Sequence, residues 1–218
     1  MARQLVSEGL GTACLLCAVV GSGIMGEQLA GGNLALVLLV NSLATGAVLA
    51  CLILIFAPLS GAHFNPVVTL AAVLAGKLSR WEALFYFFVQ VIGALLGVWT
   101  AHLMFGLPVW MVSHHPRSGS AQWLSESIAT FGLVAVIHGC KRYSIPVLAL
   151  AVGGYIAAAY WFTSSTSFAN PAVTLARALT DTFVGIRPAD VFPFVITQLL
   201  GGLAATLLFR WLAKTDAS

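Results

Sequence analysis

Six apolar runs dominate this sequence, and each is long enough to cross a lipid bilayer. A helix needs roughly 20 residues to span a hydrocarbon core about 30 Å thick. The chain is 60% hydrophobic and only 8% charged, whereas about 25% of residues are charged in a soluble domain, so we expect lipid to cover most of the surface. We therefore predict an all-α integral membrane protein with spans at approximately residues 5–25, 34–57, 82–105, 122–140, 146–164 and 191–212.

Two shorter apolar segments each follow an Asn-Pro pair. One begins after Asn65 and runs to a polar break at Lys77, and the other begins after Asn170 and runs to Asp181. Ten helical residues rise about 15 Å, which is half of the hydrocarbon core. Because these segments are too short to span and too apolar for an ordinary loop, we predict two re-entrant half-helices.

The sequence repeats itself in its two halves. Residues 65–71 read Asn-Pro-Val-Val-Thr-Leu-Ala, and residues 170–176 read Asn-Pro-Ala-Val-Thr-Leu-Ala. A glutamate near the start of each half and a glutamine near its end keep the same order around these motifs. These are Glu8 and Gln90 in the first half, and Glu126 and Gln198 in the second.

Each half contains three predicted spans, and this odd number fixes the relation between the halves. Two copies joined in tandem must lie in opposite orientations across the membrane, which gives an inverted repeat. We predict a single domain over residues 1–218, with inverted repeats at approximately 5–105 and 122–212.

An Asn-Pro pair is well suited to open a helix inside a membrane. Pro66 and Pro171 would occupy first helical positions, where no backbone donor is needed. The preceding Asn oxygen can cap the helix, which leaves its NH₂ group to donate. In an inverted repeat the two half-helices enter from opposite faces, so Asn65 and Asn170 should meet near the midplane.

This meeting point predicts an electrostatic selection. Each helix N-terminus carries about +0.5 charge, and two of them at one place oppose the passage of cations, protons included. A neutral hydroxylic molecule meets no such barrier, and its oxygens can accept hydrogen bonds from the two asparagine amides.

The two motifs resemble the signature loops of the aquaporin and aquaglyceroporin family. Residues 60–69, Ser-Gly-Ala-His-Phe-Asn-Pro-Val-Val-Thr, resemble the first loop, and residues 167–172 resemble the second. Val67 stands where alanine is usual in the first motif, whereas Ala172 keeps it in the second. The resemblance implies six spans with two half-helices, a pore in each subunit, and a homotetramer.

The resemblance also exposes a departure at the outer constriction. In most of the family an arginine directly follows the second Asn-Pro-Ala, but here that place holds Val173. Counting from the motifs puts the other constriction residues at Thr45, Ala158 and Ser167, with Gly154 as the alternative to Ala158. We expect a selectivity filter that is wider, less polar and without a fixed charge.

Arg177 is the one cation close to this filter in sequence. It lies seven residues beyond Asn170, on nearly the same face of the predicted half-helix, and about 6 Å outward of Val173. Two interpretations stay open. Arg177 either faces the outer vestibule or forms a surface ion pair with Asp181, four residues further along the helix.

Glu8 and Glu126 are carboxylates inside predicted spans, where a charge is costly unless it is partnered. The family resemblance implies that they accept backbone N–H groups from the loops that lead to the half-helices. The same resemblance places His63 beside the inner pore or against its loop.

The resulting prediction is a passive channel for small uncharged solutes: water, glycerol-like polyols and urea-like amides. The resemblance to a bacterial subgroup with valine at the arginine place adds neutral metalloid hydroxides such as arsenous acid. The alternative is an ion- or proton-coupled secondary transporter, which also uses inverted repeats and broken helices, with Glu8 and Glu126 as its only intramembrane acids.

Several other classes are excluded by missing signals. The sequence has no nucleophile–base set and no metal triad, so we predict no enzyme, no cofactor and no metal site. It has no basic stripe with interleaved aromatic residues, so we predict no nucleic-acid partner.

The distribution of basic residues predicts the orientation. With the N-terminus inside, seven basic residues face the cytoplasm and three face outward, which favours cytoplasmic N- and C-termini and, given the subgroup, a bacterial inner membrane. The inner residues are Arg3, Lys77, Arg80, Lys141, Arg142, Arg210 and Lys214, and the outer residues are Arg117, Arg177 and Arg187.

Overall fold

The computed structural model describes Met1–Ala213, and this part of the chain forms eight α-helices. Six of them are long and apolar enough to cross a membrane, and two are short, so the predicted fold class is confirmed. The helices are α1 (Ala2–Leu29), α2 (Leu34–Ser60), α3 (Pro66–Leu74), α4 (Arg80–Met104), α5 (Ser120–Gly139), α6 (Ile145–Phe162), α7 (Pro171–Arg177) and α8 (Pro188–Leu212).

The helix ends carry ordinary capping chemistry. The Asn33 side-chain oxygen caps α2 by accepting from the amides of Ala35 and Leu36 at 3.1 and 3.2 Å. Ser79 and Glu82 form a capping box at the start of α4, which satisfies two backbone donors reciprocally. Lys214, counted among the cytoplasmic basic residues, lies outside the described residues.

The half-helices α3 and α7 are shorter than the sequence predicts. They end at Leu74 and Arg177 rather than at Lys77 and Asp181. After α7 the chain turns, and the Arg177 and Ala178 carbonyls accept from the backbone amides of Ile186 and Ser113. In a longer helix these two carbonyls would accept hydrogen bonds from amides within the helix.

The packing follows the repeat. Helix α1 packs on α4 in the first half, as α5 packs on α8 in the second. The halves are then joined through α2 against α6, and each half-helix also contacts a long helix of the other half, α3 against α8 and α7 against α4. Each half-helix is therefore held by both repeats.

A pair of glycines lets α2 and α6 cross closely. A Cβ added to Gly46 would lie 2.6 Å from the Gly153 carbonyl oxygen, and a Cβ on Gly153 would collide with the Gly46 carbonyl in turn. Small residues allow such backbone approach in membrane helices. Because α2 and α6 are equivalent helices of the repeat, this crossing lies where the halves meet.

We expect Gly153→Leu to destabilise the protein, because a side chain there must push α2 and α6 apart. Overpacking of this kind costs about 1–3 kcal/mol or more, and thermal unfolding of the detergent-solubilised protein should report a lower Tm. Gly154→Leu is the matched control, since nothing lies within 4 Å of a Cβ at Gly154. Equal Tm values for the two variants would contradict this account of the crossing.

Candidate functional site

Two loops meet where the half-helices begin, and each asparagine bonds to the opposite loop. The Asn65 amide nitrogen donates to the Ala169 carbonyl at 2.8 Å, and the Asn170 amide nitrogen donates to the Phe64 carbonyl at 2.8 Å. These reciprocal bonds place the two half-helix N-termini side by side in the interior of the protein.

Each asparagine also caps its own half-helix. The Asn65 side-chain oxygen accepts from the Val67 amide at 2.9 Å, and that of Asn170 accepts from the Ala172 amide at 2.9 Å and the Val173 amide at 3.3 Å. An asparagine NH₂ group has two donors, and the bond across the loops uses one. The second donor of each amide stays available beside the cavity that both residues line.

The loops that lead to the asparagines have a matching and costly backbone. Ala62 and Phe64 have φ values of 51° and 50°, and Ser167 and Ala169, 105 residues further on, have values of 50° and 49°. A non-glycine residue in this left-handed region costs of order 1–3 kcal/mol and persists only when its surroundings hold it.

Glu8 holds the first loop. Its fully buried carboxylate accepts from the amides of His63 and Phe64 at 2.9 and 2.7 Å. Its other partners are the Ser60 hydroxyl at 2.7 Å and the Gln90 side-chain amide at 2.9 Å. These donors occupy both carboxylate oxygens, as a structural brace requires.

Glu126 holds the second loop in the same way. It is fully buried and accepts from the amides of Phe168 and Ala169 at 2.9 Å each. The Gln198 side-chain amide adds a third bond at 2.6 Å. Glu8 and Glu126 occupy equivalent places in the two repeats, and each one bonds the loop before the asparagine of its own repeat.

A single cavity of about 570 Å³ runs past the paired asparagines. At one end it is lined by Gln4, His138 and two of the basic residues assigned to the inner side. At the other end it reaches the predicted filter. Its lining includes Lys77 and Lys141 at the first end, Asn65 and Asn170 in the middle, and Thr45, Ser167, Val173 and Arg177 at the second.

The prediction for the fifth span is wrong. Helix α6 lines the cavity with residues spaced four apart, which face one side of a helix, whereas Ala158 and Gly154 are exposed and absent from the lining. Counting from the motif chose the opposite face, because Ala158 is two residues, about 200°, from its lining neighbours. The lining residues of α6 are Leu148, Val152, Ile156 and Tyr160.

Tyr160 brings an aromatic ring to the same part of the cavity as Thr45. It is buried, and its hydroxyl donates to the Thr45 hydroxyl at 3.3 Å. The four-residue spacing of Leu148, Val152, Ile156 and Tyr160 was the sequence signal that would have identified it.

Arg177 does not pair with Asp181. Arg177 is only 1% exposed, lines the cavity and donates through Nε to the Val184 carbonyl. Asp181 instead accepts from the His114 amide at 2.8 Å and the His114 ring at 3.0 Å, and the amide bond and then the ring bond lower the pKa of its carboxyl. Of the two interpretations of Arg177, the ion pair with Asp181 is wrong, and its place in the cavity lining agrees with the other. Thr45, Ser167 and Val173 carry no charge themselves, but the Arg177 guanidinium lies in the same lining.

His63 lines the same cavity as the two asparagines. Its Nδ1 lies 3.1 Å from the Thr69 hydroxyl, and its ring packs 5.4 Å from the ring of Tyr86. Its backbone amide is one of the donors to Glu8, so the residue belongs both to the pore wall and to the loop.

Two further residues surround Arg177. The Arg177 Cζ atom lies 3.3 Å from the ring centroid of Phe168, and the Arg117 Cζ atom lies 5.0 Å from the same centroid. Phe168 is two residues before Asn170 in the motif, which was a usable signal. Arg117 comes from the loop between α4 and α5, where no sequence pattern pointed to the cavity.

The family model described as major intrinsic protein matches this chain over residues 1–144 and 138–217. The chain belongs to the major intrinsic protein family. It is 53% identical to aquaglyceroporin AqpS of Rhizobium meliloti over 214 residues, covering 98% of this chain and 91% of that protein. It is also 31% identical to the probable aquaporin TIP3-2 of Arabidopsis thaliana over 188 residues, with 83% and 68% covered.

A solved structure supports the fold. The X-ray structure of the aquaglyceroporin from Plasmodium falciparum matches with a TM-score of 0.73 over 95% of this chain and 93% of that one, at 24% identity. The resemblance to aquaporins and aquaglyceroporins is thus confirmed. The family consists of membrane channels, so the chain is an integral membrane protein and the prediction that it is not an enzyme is confirmed.

We expect Glu8→Gln to destabilise the first loop, because a side-chain NH₂ group would face backbone donors that now bond a carboxylate. An unsatisfied buried donor costs about 1–3 kcal/mol, and the Tm in detergent should fall accordingly. Glu82→Gln is the control, since Glu82 is partly exposed in a capping box that glutamine also supports. A Tm unchanged by Glu8→Gln would show that the carboxylate does not brace the loop.

Proposed function

We propose that this chain is a passive membrane channel for small uncharged solutes, with water and glycerol-like polyols in its range, and that it excludes ions. The observation that carries the proposal is the meeting of two half-helices at reciprocally bonded asparagines beside one cavity. The family, and relatives whose names include aquaporin and aquaglyceroporin, support it.

Ion exclusion follows from charge and donor placement. Asn65 and Asn170 fix two helix N-termini at one level, and each N-terminus carries about half a positive charge. A cation would lose part of its hydration shell at this level, and the N–H groups of the asparagines cannot replace the water oxygens that it loses. A hydroxylic solute instead presents oxygens to the remaining N–H of each asparagine.

The filter composition favours solutes broader than water. Val173, in the place of the family's arginine, is apolar and short, and Thr45 and Ser167 are small. Tyr160, whose hydroxyl bonds that of Thr45, supplies an aromatic wall. We include urea-like amides and neutral metalloid hydroxides such as arsenous acid in the range, because they share the small size and hydrogen-bonding groups of glycerol.

The coupled-transporter alternative loses its candidate proton sites. Glu8 and Glu126 each hold loop amides and a glutamine side chain. Both oxygens of each carboxylate already accept hydrogen bonds, so a proton added to either oxygen would displace a donor. A proton carried in every transport cycle would therefore break the loop brace.

We further propose a homotetramer with cytoplasmic termini in a bacterial inner membrane. The AqpS relative is bacterial. The segments assigned to the inner side hold seven Lys and Arg residues and those assigned to the outer side hold three, an excess that supports this orientation. Cross-linking in native membranes tests the tetramer.

We expect purified protein in sealed vesicles to speed water and glycerol entry without accumulating glycerol against its gradient. A proton gradient of either direction should leave the final glycerol level unchanged, and planar bilayers should show no cation current. Stopped-flow light scattering and bilayer recording measure these quantities, with protein-free vesicles as the control. Uphill accumulation driven by protons would establish the transporter instead.

We expect Val173→Arg to reduce glycerol permeability by about tenfold or more, with a smaller loss for water. The added guanidinium is long and always charged, so it narrows the filter and adds a positive field. Val173→Leu is the matched control, because it adds volume without charge. An unchanged ratio of glycerol to water permeability in Val173→Arg would remove Val173 from the filter.

A further inference from the structure

We infer that Lys77 and Lys141 form a binding site for a phosphate group at one end of the cavity, and that a phosphate bound there closes this end to solutes. The ligand is the phosphate group itself, carried either by a soluble ion or by a lipid headgroup. The binding site stands on the charges at this end of the cavity, whereas the closure rests on the proposed channel function.

Three separate segments bring polar side chains to this end. Lys77 follows half-helix α3, Lys141 lies between α5 and α6, and Gln4 belongs to the first turn of α1. All three line the cavity, and both lysines are exposed. The two lysines are therefore accessible to a ligand that enters this end, and the Gln4 amide adds a further possible donor.

Neither lysine has a carboxylate partner within Met1–Ala213. The ion pairs of this part of the chain join other residues, and each of its carboxylate side chains accepts a hydrogen bond from a group other than these lysines. The carboxylates are those of Glu8, Glu27, Glu82, Glu126, Asp181 and Asp190. The positive charge at this end of the cavity is therefore not neutralised by any of them.

The two ammonium groups lie close enough to affect each other. Burial and then the charge of Lys77 lower the pKa of the Lys141 ammonium. An anion between them would reverse this effect, because an opposite charge stabilises the charged form. A phosphate monoester carries about −1.5 to −2 charge at pH 7, which two ammonium groups neutralise, and its oxygens can accept from the three donors of each.

The cavity beyond the lysines does not suit an anion. The last turns of α5 and the first turns of α6 line it with Leu133, Ile137, Leu148 and Val152. Because burying a charge among apolar side chains is costly, a phosphate should stay beside the lysines. The same cavity continues past the asparagines, so an ion held at this end lies on the path of the solute.

The experiment measures glycerol entry into phosphatidylcholine vesicles that contain the protein, with potassium phosphate or potassium chloride on both sides. Equal ionic strength keeps the screening of charges equal, and phosphate on both sides reaches the site in either orientation of the protein. Wild-type entry should be slower in phosphate. Lys77→Gln and Lys141→Gln should each raise the half-inhibiting phosphate concentration about fivefold or more, because each removes a charge beside the ligand.

Arg210→Gln is the matched control. It removes the same charge from an exposed arginine near the end of α8, and Arg210 does not line the cavity. This variant should respond to phosphate as the wild type does. A slowing by phosphate that is equal in Arg210→Gln and in both lysine variants would overturn the site, because it would be a general effect of the salt.

Vesicles of phosphatidylglycerol in chloride distinguish the two sources of the phosphate group. If the lipid headgroup is the ligand, wild-type entry is already slow in these vesicles and added phosphate changes it little. If the soluble ion is the ligand, entry is as fast as in phosphatidylcholine until phosphate is added. In both cases the lysine variants should lose the slowing, and a slowing that both variants retain would overturn the site.

The remaining outcomes separate this inference from the proposed function. Wild-type entry in chloride no faster than in protein-free vesicles would overturn the proposed function and the closure with it. Thermal unfolding in detergent then decides the site, because a bound ligand stabilises the folded protein. Phosphate should raise the Tm of wild type and Arg210→Gln more than that of the lysine variants. Equal Tm shifts in all four proteins, with entry rates that depend on neither phosphate nor lipid, would overturn the site itself.

Discussion

Two buried carboxylates fix the centre of this molecule. Glu8 and Glu126 bond the amides of the strained loops, and those loops set where the half-helices begin. The reciprocal bonds of Asn65 and Asn170 depend on that placement. A buried charge without partners would be expensive, but here each carboxylate receives two backbone donors from its loop, and one of the two comes from a left-handed residue, Phe64 or Ala169. These hydrogen bonds stabilise both the buried charge and the strained backbone.

The sequence was sufficient for most of this architecture because its signals were physical and repeated. Run length predicted the six spans, and the odd number of spans per half predicted the inversion. The Asn-Pro pairs predicted helix starts in the interior, and Asn65 and Asn170 do cap α3 and α7. Each of these features depends on local chemistry or on counting, which a single sequence contains.

What the sequence did not show depends on rotation about a helix axis and on loop placement. Ala158 was assigned by counting, and a two-residue error turns a side chain to the opposite face. The sequence left open whether Arg177 pairs with Asp181. Because α7 ends at Arg177, the helical spacing that would join the two side chains does not exist. Arg117 approaches Phe168 only because loop carbonyls hold it, and no local pattern encodes that contact.

Positive charge lies at several levels along the cavity, so the barrier to cations does not rest on one group. Lys77 and Lys141 line one end, the two helix N-termini meet in the middle, and Arg177 lies towards the other end. Within Met1–Ala213 no carboxylate forms an ion pair with any of these three side chains. A cation that crosses the cavity must pass all three positive regions. Removing one of them therefore leaves the electrostatic barrier of the other two. The proposed exclusion of cations therefore does not depend on a charge at Val173.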